Sequence, residues 1–318
     1  ILLCLALQFY VHITQKIAAD EFVYLSHIRD FQQGDLHTVM QNFHVHVFSY
    51  LPRLGLDDAK QILIGRAVMW VFEIGILVGI YGIGRAFLSR AASLFAVLVY
   101  ISSGFILVYG ASFRTDPLAT AAVMICLFVM VRSPLRTFEL ALLACAVALG
   151  VMISVTVVFF LPALIGAALW RVHLCDHPRR LFVRLSLTAL ASLIIFTALY
   201  QYQIMALLGA SGTGNIHSGL PTGIIATSLL PRIDTIISGL LYAPLQSLLL
   251  VLGMMLGVLD LFANTTKRDR AMVLFILASP LLSLLFYPGA YPYFYVFIFP
   301  SAVLFAGYFF DRIFIQRR

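Results

Sequence analysis

The feature that most limits what this chain can fold into is a succession of apolar runs, many of them close to bilayer-spanning length. A helix that crosses a membrane needs about 20 consecutive apolar residues. Charged residues make up only 11% of the 318 residues and mean hydropathy is +0.99, whereas a soluble domain is about 25% charged. We therefore predict an all-α fold, a polytopic bundle of about ten transmembrane helices forming one module over residues 1–318. The predicted spans are 1–17, 62–84, 91–109, 117–131, 138–154, 155–170, 183–205, 236–259, 271–287 and 294–310.

The basic residues predict the orientation of the bundle, because Lys and Arg concentrate in cytoplasmic loops. If both termini are cytoplasmic, most of the 21 basic residues lie on that side of the membrane. We therefore expect a multi-pass protein of a bacterial-type inner membrane, with any site at the outer ends of its spans on the extracytoplasmic side. The same bias explains the net charge of +7, so no nucleic-acid partner is expected. The basic residues placed inside are Arg85, Arg90, Arg132, Arg136, Arg171, Arg179, Arg180, Arg184, Lys267, Arg268, Arg270, Arg312, Arg317 and Arg318.

Two extracytoplasmic segments, 18–61 and 206–235, are long enough to take part in function. In the first, apolar residues recur at helical spacing from Asp20 to Gln33, which predicts an amphipathic helix lying in the membrane interface. The second is rich in Gly but lacks the Gly-Lys-Ser/Thr ending of a phosphate loop. It is predicted to be a mobile loop that closes over a substrate.

Ionisable residues inside the predicted spans are a further signal, because burying a charge in a bilayer is costly. Glu73 lies eleven residues into the second span, about 16 Å deep at 1.5 Å per residue. Arg66 lies two turns earlier on the same stripe of the helix. Each marks either a functional site or a polar contact between helices, and both interpretations stay open.

Carboxylates gather at the outer edges of the first and fourth predicted spans. Asp20 and Glu21 follow the first span, and Arg114-Thr115-Asp116 precedes the fourth. Each residue also has a purely structural interpretation. Asp20 would mark the water boundary of the first helix, Asp116 before Pro117 would be a helix N-cap, and Arg114 would extend its charged end to the interface.

These motifs, in this order, resemble the integral-membrane glycosyltransferases of the GT-C superfamily. The resemblance extends over about residues 1–170 and includes Asp20-Glu21, Gly65-Arg66, Gly84-Arg85 and Arg114-Thr115-Asp116. Within that superfamily, the chain looks most like the protein O-mannosyltransferases and the aminoarabinose transferase that acts on lipid A. Ala290-Tyr291-Pro292-Tyr293-Phe294 is similar to an aromatic and proline segment of the same enzymes.

The resemblance implies sugar transfer from a polyprenyl-phosphate donor to a lipid, glycan or protein acceptor, with inversion at the anomeric carbon. The general base would be Asp20, with Glu21 beside it, since an attacking hydroxyl must lose its proton. Asp116 would orient the acceptor or hold a divalent cation, Mg or Mn. Arg66 and Arg114 would bind the lipid phosphate, with hydrogen bonds from Tyr291 and Tyr293. Membrane lipids are the other expected partners.

Histidines in the first outer segment offer an alternative metal site. His44 and His46 form a His-x-His pair, and His27 and His37 precede them. Imidazoles beside carboxylates bind zinc or manganese, although this spacing is not that of a structural zinc site. No cofactor is therefore firmly predicted.

Two departures from the GT-C pattern keep other functions open. Many of these enzymes continue past the last span into a folded outer domain, which we expect to be absent here. Val155, Thr156 and Val157 occupy positions where relatives often have a Lys. The alternatives are a non-catalytic accessory subunit of a larger membrane complex, with the same fold, and a transporter. A lipid-sized groove beside Asp20 and Asp116 would favour the enzyme.

Overall fold

The computed structural model of the chain describes residues 1–211, 216–218, 237, 239, 241–262, 265–287 and 292–315. These residues form helices joined by short connections, and the described part contains no strand apart from an isolated bridge between Thr38 and His217. The all-α prediction is confirmed. The first seven helices are α1 (Leu2–Thr14), α2 (Ala19–Gln33), α3 (His44–Phe48), α4 (Asp58–Phe87), α5 (Arg90–Ile101), α6 (Gly104–Tyr109) and α7 (Thr115–Arg132). The others are α8 (Thr137–Ile153), α9 (Leu161–Leu174), α10 (Pro178–Ser211), α11 (Pro244–Leu261), α12 (Thr265–Ala278), α13 (Phe294–Ala302) and α14 (Leu304–Phe310).

Six of the described helical segments are long and apolar enough to cross a membrane, and α1 with α2 makes a seventh if the bent pair is one span. The chain is therefore a polytopic membrane protein, while the count of ten spans stays a prediction. Predicted run 91–109 is divided into α5 and α6, and run 155–170 begins as the 3₁₀ turn Val155–Phe160. Hydropathy reports how apolar a run is but not where its backbone bends.

Short polar signals set the helix ends near the outer segment. Ala18 donates its backbone N–H to Glu21 Oε2 at 3.0 Å, which caps the start of α2. Gly34, with φ of 84°, ends the same helix in the left-handed conformation. Asp57 caps α4 by accepting the N–H of Lys60 at 2.9 Å. The predicted amphipathic helix is confirmed as a helix, and a bend of 72° separates it from α1.

Helix α7 lies at the centre of the bundle, packed against α4, α8, α9 and α13. In the most apolar stretch of α7, 83% of the residues are buried, whereas the corresponding share in α10 is 11%. Helix α10 therefore lies at the periphery. Glu73 is fully buried in α4 and accepts a hydrogen bond from the Tyr100 hydroxyl of α5 at 3.4 Å. Of the two interpretations of Glu73, the structure favours the contact between helices.

Candidate active site

A cavity of about 490 Å³ opens beside the N-terminal ends of α2 and α7. The connection between α2 and α3 also lines this cavity, and it pairs with residues 216–218 of the second outer segment. Val39 donates its N–H to the carbonyl of His217 at 3.1 Å, and His217 donates to the carbonyl of His37 at 2.8 Å. The two outer segments therefore meet at this cavity. The lining residues are Asp20, Val23, Tyr24, His27, Thr38, Met40, Gln41, Asn42, Arg114 and Tyr293.

Arg114 is the centre of the charged group in this cavity. Its Nε donates to Asp116 Oδ2 at 3.0 Å, its Nη1 donates to Asp20, and its guanidinium lies 3.7 Å from the ring centroid of Tyr293. Burial disfavours the charged guanidinium, but the carboxylates outweigh it and raise the pKa of Arg114. Four of the residues predicted from the sequence, Asp20, Asp116, Arg114 and Tyr293, therefore lie together.

The four side chains differ in what they offer a ligand. The side chain of Asp20 is 54% exposed, whereas that of Asp116 is 12% exposed. Burial raises the pKa of Tyr293 to about 12, so its phenol keeps the O–H donor at neutral pH. Asp20 is therefore the more accessible of the two carboxylates.

The start of α7 explains how Asp116 is positioned. Arg114, in extended conformation, is the N-cap residue, and Asp116 lies in the first turn. The N-cap is therefore Arg114, two residues before Asp116, which the structural interpretation of the sequence placed at the N-cap. An acidic side chain in the first turn still interacts favourably with the positive end of the helix dipole. The Asp116 carbonyl also accepts the Thr120 hydroxyl at 2.7 Å.

Glu21 and Arg66, the other predicted charged site residues, are placed differently. Arg66 donates from Nε and Nη2 to Glu21 at 2.8 and 2.6 Å, and both side chains are 1% exposed. Neither lines the cavity. The arrangement supports a structural role, in which this pair holds α2 against α4 one residue away from Asp20.

His44 and His46 contact different neighbours. His44 Nε2 lies 3.3 Å from the Tyr24 carbonyl, while His46 Nε2 bonds to Gln203 of α10. Among the residues that the structure describes, no three His, Cys, Asp or Glu side chains group as metal ligands. Asp20 and Asp116 instead share the guanidinium of Arg114. Arg114 balances only one of the two negative charges, so a divalent cation held by Asp20 and Asp116 stays a prediction.

Several cavity residues were not predicted from the sequence. Tyr24 follows Asp20 by four residues on α2, so helical spacing from Asp20 would have found it. His27, which the sequence suggested only as part of a metal site, lies three residues further along the same helix. Thr38, Gln41 and Asn42 had no such signal, because their place depends on pairing with a distant segment. Tyr291 lies outside the described residues. So does most of the Gly-rich loop 206–235, of which 206–211 continue α10.

The fold resembles those of solved membrane proteins. The crystal structure of ArnT (aminoarabinose transferase) from Cupriavidus metallidurans bound to undecaprenyl phosphate matches with a TM-score of 0.69 and 16% identity, over 98% of this chain and 59% of ArnT. Its apo structure matches with a TM-score of 0.66 and 15% identity, over 99% and 59%. The archaeal oligosaccharyltransferase AglB from Archaeoglobus fulgidus, in complex with an inhibitory peptide and a dolichol-phosphate, matches with a TM-score of 0.56 and 12% identity, over 99% and 51%.

These similarities define the class of fold. The chain has the GT-C fold, as predicted from the sequence, and it spans about three fifths of the length of the ArnT structures. No protein-family model matches the chain, and no curated protein matches it significantly in sequence.

Proposed function

We propose that this protein is a membrane glycosyltransferase that transfers a sugar from a polyprenyl-phosphate donor to an acceptor. The observation that carries the proposal is the convergence of Asp20, Arg114 and Tyr293 on one cavity of a GT-C bundle, with Asp116 holding Arg114 from behind the cavity wall. The similar structures support the donor class, since ArnT was solved with undecaprenyl phosphate and AglB with a dolichol-phosphate.

In the proposed reaction an acceptor hydroxyl enters the cavity and attacks the anomeric carbon. Asp20 takes the hydroxyl proton as the new carbon–oxygen bond forms. The bond from the anomeric carbon to the phosphate oxygen breaks on the opposite face, and its electron pair leaves with the lipid phosphate. The product has inverted configuration, because in a single displacement the attacking hydroxyl oxygen and the leaving phosphate oxygen lie on opposite faces of the anomeric carbon.

Arg114 would bind the departing phosphate, which gains negative charge as the bond breaks. The guanidinium donates to both carboxylates in this structure. A phosphate that takes the Nη1 donor would release Asp20 as a base, while Asp116 continues to hold Nε. Binding of the polyprenyl-phosphate sugar would thereby activate Asp20 as the base.

The wider setting is also a proposal. We place the cavity on the extracytoplasmic side of a bacterial-type inner membrane, with both termini in the cytoplasm, because the basic residues favour that orientation. The acceptor is a lipid, a glycan or a protein, and assembly into a larger membrane complex is compatible with this reaction.

The test is transfer of labelled sugar from an extract of polyprenyl-phosphate sugars, with the purified unmodified protein and its Asp20→Asn, Asp116→Asn and Asp35→Asn variants. Asp35 is the matched control, because it is an exposed carboxylate of the same outer segment and does not line the cavity. Loss of a general base lowers rates by about a hundredfold to ten-thousandfold. We expect that loss in Asp20→Asn, a smaller one in Asp116→Asn and none in Asp35→Asn.

Two results would contradict the proposal. Unchanged transfer by Asp20→Asn, at equal folded yield, would exclude Asp20 as the base. The absence of transfer by the unmodified protein, across several donors and acceptors, would favour the accessory-subunit alternative.

A further inference from the structure

A second cavity, of about 400 Å³, lies among α7, α8, α9 and α10 and is lined almost entirely by aliphatic side chains. We call it the α10 groove. Its α10 wall contains Leu185, Ala189 and Phe196. Two hydroxyl groups in that wall bond within their own helix, since Thr188 donates to the Arg184 carbonyl at 2.8 Å and Ser192 to the Thr188 carbonyl at 3.0 Å. The groove therefore presents an apolar surface to an occupant.

The exposure of α10 indicates where that occupant comes from. Only 11% of the most apolar stretch of α10 is buried within the protein, so most of the helix faces the surrounding lipid. A cavity beside such a helix is reached from within the bilayer. A molecule with a hydrocarbon chain has both the access and the apolar surface that this cavity requires.

One end of α10 is strongly basic. A further cavity of about 490 Å³ at this end is lined by Arg179, Arg180 and His177, together with the carboxylate of Asp176. Arg179 and Arg180 are exposed, and neither forms an ion pair with another residue in the part of the chain that the structure describes. Their charge is available to an anionic group.

Helical geometry connects this basic end with the α10 groove. Pro178 lines the basic cavity, and Leu185, Ala189 and Phe196 line the groove. Steps of seven, four and seven residues keep all four on one stripe of the helix, because α-helices have 3.6 residues per turn. Arg179 and Arg180 follow Pro178 at rotations of about 100° and 200°, so their long side chains, rather than their backbone positions, have to bring the charge to this stripe. Pro178 precedes Leu185 by about 10 Å along the axis at 1.5 Å per residue, a separation that one amphiphilic molecule bridges.

We infer that the α10 groove and its basic end bind one anionic phospholipid, with an acyl chain in the groove and the phosphate at Arg179 and Arg180. Basic pockets between transmembrane helices recognise anionic headgroups. This site is separate from the candidate active site, because Met130 of the groove and Asp116 lie about 21 Å apart along α7, fourteen residues at 1.5 Å each. The inference does not rest on the proposed transfer reaction.

The experiment is native mass spectrometry of the delipidated full chain in detergent, titrated separately with phosphatidylglycerol, phosphatidylethanolamine and undecaprenyl phosphate. We expect one phosphatidylglycerol to bind at least about tenfold more tightly than phosphatidylethanolamine, because each basic residue near an anionic lipid contributes about fivefold. Arg179→Gln with Arg180→Gln should remove that preference. Ala189→Phe, which keeps both arginines and fills the groove, should also abolish the tight site.

The matched control is Arg90→Gln with Arg268→Gln, which removes the same charge from two exposed arginines elsewhere. This control should retain the preference. An equal loss in the control would indicate diffuse surface charge and overturn the inference. Full affinity in Ala189→Phe would also overturn it, as would binding of undecaprenyl phosphate in place of phosphatidylglycerol.

Discussion

The guanidinium of Arg66 and the carboxylate of Glu21, 45 residues apart in the sequence, form a doubly hydrogen-bonded ion pair that is almost completely buried. Arg66 also donates to the carbonyls of His12, Gln15 and Lys16 at the end of α1, and Glu21 Oε1 accepts the Phe113 N–H at 2.8 Å. The pair thus joins α1, α2, α4 and the segment before α7. Since Asp20 adjoins Glu21, these contacts also fix where Asp20 enters the cavity.

Breaking this pair should destabilise the protein strongly. We expect Glu21→Gln to lower the free energy of unfolding by about 3 to 5 kcal/mol, because it leaves Arg66 as a buried charge without a counter-ion. The measurement is the thermal unfolding midpoint in detergent. Lys60→Gln is the control, since its pair with Asp57 is exposed and exposed pairs contribute little to stability. Similar midpoints for the two variants would contradict the structural role.

Arg114→Gln should weaken binding of undecaprenyl phosphate by about tenfold to a hundredfold. Hydrogen bonds to charged groups contribute about 1.5 to 3 kcal/mol, and Arg114 is the cation that lines the cavity. Equilibrium binding of the labelled lipid measures the effect. Arg53→Gln, at an exposed arginine of the same outer segment, should bind like the unmodified protein. Equal affinity of the two variants would remove Arg114 from the phosphate site.

Acidification should destabilise the outer segment through His44. Burial, and secondarily the nearby His27, lower the pKa of His44 from 6.5 to about 4. The unfolded chain therefore binds this proton more readily, so the contribution of His44 to stability is complete above pH 6.5 and is lost as the pH falls towards 4. Unfolding midpoints measured across that range should fall less steeply for His44→Asn. Parallel pH profiles would show that His44 does not control this loss.

Gly253→Ala should disrupt the packing of α11 against α14. A Cβ at Gly253 would lie 2.0 Å from the backbone carbonyl oxygen of Phe305, which no side-chain rotation relieves. Overpacking of this kind costs about 1 to 3 kcal/mol, so the unfolding midpoint should fall. Gly75→Ala is the control, because nothing lies within 4 Å of a Cβ there and Ala favours helices. A midpoint for Gly253→Ala that equals or exceeds that of Gly75→Ala would contradict the close approach of α11 and α14.

The sequence by itself determined the all-α membrane fold, the helix after Asp20 and the position of the acidic motifs at the ends of apolar runs. Hydropathy and helical spacing are local properties, so they are readable without contacts. Asp20 and Arg114 were also identifiable as candidates, because charges are rare in so apolar a chain.

Only the tertiary structure decided which of those charges share a cavity. It separated Glu21 and Arg66, buried against each other, from Asp20, Asp116 and Arg114 beside the cavity. It also brought Thr38, Gln41 and Asn42 to the same wall through the pairing with His217. These relationships depend on contacts between distant segments of the chain. Adjacent residues such as Asp20 and Glu21 then meet different neighbours, because successive helical positions are rotated by about 100°.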